Sequence, residues 1–209
     1  MGPEEREFPV HQKRLCEHSP YFAAAAKENW KEGQEHRIPL PCDNTVAVGL
    51  YIQWIYGGRI FTRPGRGRAE DKDKATYSET SLLVEGFIFG EKIQDGDFKD
   101  AILDAIIASI NDPGKDDPFR YPSGATVERA YEGTPEGSPL RKLMVDIHAH
   151  HGSRQWLDGL NCIEFVKDLV GELFAGRQHL LLHNPTLMHS NACRYHHHGE
   201  DHSCYSAAS

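Results

Sequence analysis

Apolar positions recur at helical spacing through most of this chain and alternate only briefly. Ser19-Pro20 has the form of a helix start, serine as N-cap and proline at the first helical position. That helix is predicted through "YFAAAAKEN" to Trp30 or Gly33. In "HRIPLP", Ile38 and Leu40 alternate, which predicts a short strand cut off by Pro41. Asn44 or Thr45 caps the next helix, "VAVGLYIQWIY", whose Val46, Ala47, Leu50, Tyr51, Trp54 and Ile55 share one stripe. Gly57-Gly58 closes it, and "RIF" beyond reads as a brief edge strand.

From Arg63 to Ser78 the chain is charged and aperiodic, as a loop is. "SLLVEGFIFGEKI" is again helical, "QDGD" is a turn, and Asp97 is the expected cap of "FKDAILDAIIASI". On that helix Phe98, Ile102, Ala105, Ile106 and Ser109 fall on one face. "NDPG" at 111–114 stops it, and 112–137, rich in proline, glycine and charge, reads as a linker. A second Ser-Pro start, Ser138-Pro139, opens a helix with Leu140, Leu143, Met144 and Ile147 on one side. "CIEFVKDLVGELF" repeats the pattern with Ile163, Val166, Leu169, Val170 and Leu173. After Pro185 the chain turns polar and histidine-rich. The predicted organisation is an α+β unit over 1–111, a linker over 112–137, a helical extension over 138–183 and a Cys/His-rich tail over 184–209.

Composition narrows the function classes. With 209 residues and 39% apolar content the chain is long enough for a core. Its net charge of −8 argues against a general nucleic-acid binder, which needs a basic surface to displace counterions from phosphate. No run approaches the ~20 apolar residues of a membrane span. Five scattered cysteines make no disulfide framework, so the cytoplasm or the nucleus is the expected compartment.

Three groups of residues invite a chemical reading. His11, Cys16 and His18 are too few and too unevenly spaced for a structural zinc, and Cys16 has no orienting partner for catalysis. They read as fold elements. His148 and His151, three apart, can share a helix face, and a solvated helix end accounts for them. In the tail, Cys193, His196, His198 and Cys204 supply four zinc-type ligands within twelve residues, yet have few apolar neighbours to pack around a metal. A zinc-binding regulatory protein is therefore the alternative function. No assembled catalytic site is found, so the chain reads as a non-enzyme with no cofactor.

Val10-His11, Leu15, Ser19, Tyr21-Phe22, Trp30-x-Glu32 and Trp54-Ile55-Tyr56-Gly57-Gly58 stand in an order and spacing that resembles the BTB/POZ domain, in particular its fungal branch. The likeness covers about residues 8–110. The segment from Ser138 to Phe174 also resembles the helical extension that follows many fungal BTB domains. The resemblance implies a BTB/POZ-like helical cluster flanked by a short sheet, followed by the helical extension. It further implies a protein-interaction module that dimerises and serves as substrate adaptor for a cullin-type ubiquitin ligase. In that role the family uses a hydrophobic-x-Glu motif, here Trp30-Lys31-Glu32, which makes Trp30 and Glu32 the expected partner-binding residues. Only seven residues precede Phe8, whereas the family begins with a β-hairpin, so the first strands are expected to be missing. That leaves a weakened edge near Phe8 to Val10.

Overall fold

The computed structural model describes residues 6–27, 31–60, 78–111 and 121–176. Among them the regular elements are helical: α1 (Gln12–His18), α2 (Pro20–Ala25), α3 (Lys31–Glu35), α4 (Thr45–Gly57), α5 (Glu79–Ile93), α6 (Gly96–Asn111), α7 (Gly124–Gly133), α8 (Pro139–His151) and α9 (Ile163–Ala175), with one 3-10 turn at Arg154–Leu157. None of these helices is long and apolar enough to cross a membrane.

The expected α+β character is corrected at this point. Arg37 to Leu40 takes no strand conformation, and no strand occurs among the described residues. A ladder needs a partner, and Pro39 and Pro41 each remove a backbone donor from this short run. Alternation over two apolar residues is too weak a signal to overcome that. Of the second expected strand, "RIF", Arg59 and Ile60 are irregular and Phe61 lies outside the described residues.

The helix ends are set by local chemistry. Ser19 caps α2 by accepting from the Phe22 backbone N–H (3.2 Å), and its own hydroxyl donates to the Ile93 carbonyl (2.6 Å). One buried serine thus starts one helix and ties it to the end of another. Asn44 accepts from Val46 and Ala47 at the start of α4, and Gly58 ends that helix with φ 64°. Ser78, Ser123 and Ser138 cap α5, α7 and α8 in the same way. The cap of α6 is Asp95 rather than Asp97: its Oδ1 accepts from the Phe98 N–H at 2.9 Å, and the helix begins at Gly96. Helix α7 falls inside the 112–137 stretch, where Val127, Ala130 and Tyr131 are buried.

The core begins on α4. Tyr51 packs against Phe22, Trp54, Phe89 and Phe98, the last at 5.0 Å between ring centroids. Helix α6 buries far more than the one face its periodicity marks, with Ala101, Leu103, Ile107 and Ile110 interior as well as Phe98, Ile102 and Ile106. Such a helix is interior rather than amphipathic. Helix α5 packs on both α4 and α6, and on α7 through Ile88. There a Cβ on Gly133 would meet the Ile88 side chain at 2.4 Å, so only glycine permits this approach. Val127, Tyr131, Leu140, Leu143, Met144, Ile147 and Phe165 continue the same core through α7, α8 and α9.

Arg141 closes the α7–α9 end. Its guanidinium donates to the Tyr131 carbonyl (2.6 Å) and to the Thr134 carbonyl, and lies 4.5 Å from the Tyr131 ring centroid. It also pairs with Glu164 of α9 (2.9 Å). The Tyr131 hydroxyl donates to Asp168 (2.8 Å), a second link from α7 to α9.

Asp95 gives the fold a pH signature. Its Oδ2 accepts from the Tyr51 hydroxyl at 3.1 Å, and burial raises its carboxyl to about 6 from an ordinary 3.8. Because the folded form holds its proton more tightly, this group favours folding most below pH 3.8 and loses that contribution as pH rises through about 6. Asp95→Asn keeps a capping oxygen and removes the buried charge. It is expected to gain stability relative to the parent between pH 4 and pH 7, by about 3 kcal/mol at most. Urea unfolding of both proteins across that range measures the difference, and parallel curves would refute the assignment.

Candidate interaction surfaces

The opening histidine–cysteine cluster is dispersed by the fold. His11 is exposed; its backbone N–H donates to the Tyr56 hydroxyl (2.9 Å), which lies 2.7 Å from the ring Nδ1. Cys16 is half-buried, its thiol 3.8 Å from the Phe22 carbonyl oxygen. His18 stands edge-on to Trp54 at 5.1 Å. His11 and His18 thus touch α4 and Cys16 touches α2, with His11 in solvent rather than interior. Among the described residues no three His, Cys, Asp or Glu side chains converge as metal ligands.

Of the two expected partner-binding residues, Glu32 is half-buried in the first turn of α3, and Trp30 lies outside the described residues. Next to Glu32, Gly33 is buried against the end of α2: a Cβ there would lie 2.2 Å from the Lys27 carbonyl oxygen. The close approach fixes where α3 begins relative to α2, and with it the backbone position of Glu32.

A second surface went unread in the sequence. On α9, Phe165 and Leu169 face the core, whereas Ile163 is 70% exposed and Phe174 63%, with Val166, Val170 and Leu173 also in solvent. Of the stripe that periodicity marked as inward, only Leu169 is buried. The helix is apolar on two adjoining faces, and the pattern cannot say which of them meets the core. A shallow groove of about 420 Å³ runs along its N-terminal half, lined by Leu160, Cys162, Ile163, Val166 and Val170.

A more polar cleft of about 660 Å³ lies where the starts of α5 and α7 meet the 3-10 turn. Tyr121 and Trp156 form its aromatic wall, with centroids 4.9 Å apart. Arg129 and Glu85, both on its rim, neutralise each other through two hydrogen bonds of 2.6 and 3.1 Å.

His148 is corrected from a solvated position to an interior one. It is buried between Trp156 (5.3 Å) and Phe165 (4.9 Å), and its Nδ1–H donates to the Met144 carbonyl (2.8 Å). His151 packs separately, on Tyr121 at 5.3 Å. Burial lowers the His148 imidazole below its ordinary value of 6.5, so it is neutral when folded near pH 7. Its cost to folding is absent well above pH 6.5 and grows as pH falls, since the unfolded chain takes up the proton more readily. His148→Phe is expected to melt closer to its neutral-pH temperature at pH 5.5 than the parent does. Asp95 is common to both proteins and cancels in that comparison. An equal drop in both would refute the burial effect.

Cys193, His196, His198 and Cys204 lie outside the described residues.

Comparison with known families and proteins gives one positive result. Residues 3–83 match the family model of the BTB/POZ domain. No curated protein and no solved structure matches the chain. The BTB/POZ domain is a protein–protein interaction module, and the matched segment holds α1 to α4, Glu32 and the first part of α5.

Proposed function

We propose that this chain is a protein-interaction adaptor whose BTB/POZ segment engages a cullin-type ubiquitin ligase through Trp30 and Glu32, in the cytoplasm or the nucleus. The BTB/POZ match over residues 3–83 carries the interaction reading. The ligase reading is supported by the Trp30-Lys31-Glu32 triplet, with Glu32 half-exposed at the start of α3 beside the closely packed Gly33. An aromatic anchor with a neighbouring carboxylate is a sound recognition element: the ring supplies buried area and the charge sets register. Self-association of the BTB/POZ segment is consistent with this role, since the domain also serves dimerisation.

Calorimetric titration of the chain with a cullin N-terminal domain tests the reading, beside a Trp30→Ala, Glu32→Lys variant. Binding by the parent, with at least tenfold weaker binding by the variant, is expected. No heat of binding from a parent that melts cooperatively would remove the ligase role and leave an interaction module with another partner.

A further inference from the structure

The cleft where the starts of α5 and α7 meet the 3-10 turn takes no part in the adaptor reading. Most of its lining comes from beyond residue 83, where the BTB/POZ match ends. Its volume of about 660 Å³ falls within the usual range of ligand sites. We propose that this cleft binds an extended, proline-containing peptide segment of a partner protein, with a basic side chain of that segment at Asp158. The inference is independent of the ligase reading, which concerns a different part of the chain.

Three observations support that occupant. The first is shape. Tyr121 and Trp156 stand 4.9 Å apart at 44°, too close to admit a side chain between them, so they form one aromatic shelf. Such a shelf suits proline rings, which a polyproline II segment presents already ordered. It is held in place from behind: buried His148 meets Trp156 edge-on at 5.3 Å, and His151 packs on Tyr121 at 5.3 Å. Binding there orders few further side chains. The second is hydrogen bonding. A polyproline II backbone makes no internal hydrogen bonds, so its carbonyls seek donors. The indole N–H of Trp156 is engaged by no acceptor among the described residues, and the exposed amide of Gln155 stands beside it in the lining. The third is charge. Arg129, the one cation in the lining, is committed to Glu85 by two hydrogen bonds. Asp158 is exposed and pairs with no cation among the described residues, which leaves the cleft with an uncompensated negative charge. A basic residue of the peptide matches it, whereas an acidic one is repelled.

The test is fluorescence anisotropy of labelled peptides titrated with the full-length chain. The probes are an uncharged octaproline, the same peptide with one added N-terminal arginine, and a glycine–serine peptide of equal length with that arginine. The arginine–octaproline peptide is expected to bind at least tenfold more tightly than the glycine–serine peptide, with uncharged octaproline between them. Asp158→Lys is expected to weaken the arginine–octaproline peptide at least fivefold and to leave uncharged octaproline within about twofold. Trp156→Ala is expected to abolish binding of both proline peptides. That change truncates a half-buried ring, so it is read beside a thermal melt. Asp158→Lys alters an exposed side chain and decides the matter if Trp156→Ala does not melt cooperatively. Three results would overturn the proposal: no binding of either proline peptide at about 1 mM chain, equal binding of the glycine–serine peptide, or undiminished binding by folded Trp156→Ala. An acidic peptide that outbinds the proline peptides would overturn it too and assign the cleft to an anionic partner.

Discussion

Phe98→Ala is expected to cost about 3–5 kcal/mol of unfolding free energy. Phe98 is fully buried in the first turn of α6, with its ring 5.0 Å from Tyr51 and 5.6 Å from Trp54. Those two residues belong to α4, so truncation opens a cavity at the seam between the helices. Little can collapse into it, because α6 is interior on most of its circumference and Asp95, which caps it, is hydrogen-bonded to Tyr51. Urea unfolding followed by circular dichroism measures the loss. A change under 1 kcal/mol would mean that α4 and α6 do not meet at this residue. Phe98→Leu keeps most of the volume and is expected to recover more than half of the loss.

Arg141→Ala is expected to cost about 2–4 kcal/mol, although arginine is a surface residue in most settings. The difference lies in what it leaves behind. Its guanidinium serves the Tyr131 and Thr134 carbonyls at the end of α7, where no further helical N–H is available to them. It also stacks on the Tyr131 ring. The ion pair with Glu164 contributes little by itself, since that carboxylate is 70% exposed. Glu164→Gln is therefore expected to stay within about 0.5 kcal/mol of the parent. Arg141→Lys keeps the charge, loses the planar fork, and is expected to recover less than half of the stability lost in Arg141→Ala. If Lys restores it fully, the residue acts as a charge and the two carbonyls do not depend on it. Chemical denaturation of the three variants separates these outcomes.

The parts of this architecture legible from sequence are those with local causes. The Ser19-Pro20 and Ser138-Pro139 starts, the Asn44 cap and the Gly58 terminus are each written in one or two residues, and each stands where expected. Leu140, Leu143, Met144 and Ile147 were readable as an inward stripe because the other side of α8 is charged or polar over its first turns. What failed depended on distant partners. The "RIPL" strand required a neighbour that the described residues do not supply. Helix α7 has only Val127, Ala130 and Tyr131 to mark it, spaced among charges in a proline- and glycine-rich stretch, and its burial comes from α5 and α8. His148 resembled its exposed neighbours because nothing local records that Trp156 and Phe165 close over it. On α9 the pattern marked an apolar side correctly and its direction wrongly: Phe165 and Leu169, not the longer stripe, meet the core. Of the candidate site, the Trp30-x-Glu32 triplet was read as a motif, whereas the close approach at Gly33 that anchors α3 to α2 is visible only in three dimensions.

The way the helices touch also sets a time scale for their formation. α1 with α2, α4 with α5, α5 with α6, α7 with α8 and α8 with α9 are all neighbours along the chain. Apart from α4 with α5, which residues 58–78 separate, these pairs have short loops to close, and loop closure is what slows the search for a native topology. The hairpin of α5 and α6, joined by the tight turn at Gln94-Asp95, is the natural first structure to persist. The docking of α2 onto α5 must instead bring Ser19 to Ile93 across 74 residues of chain. Refolding from denaturant should therefore be fast for the C-terminal helices and gated, in its last step, by the arrival of the N-terminal segment.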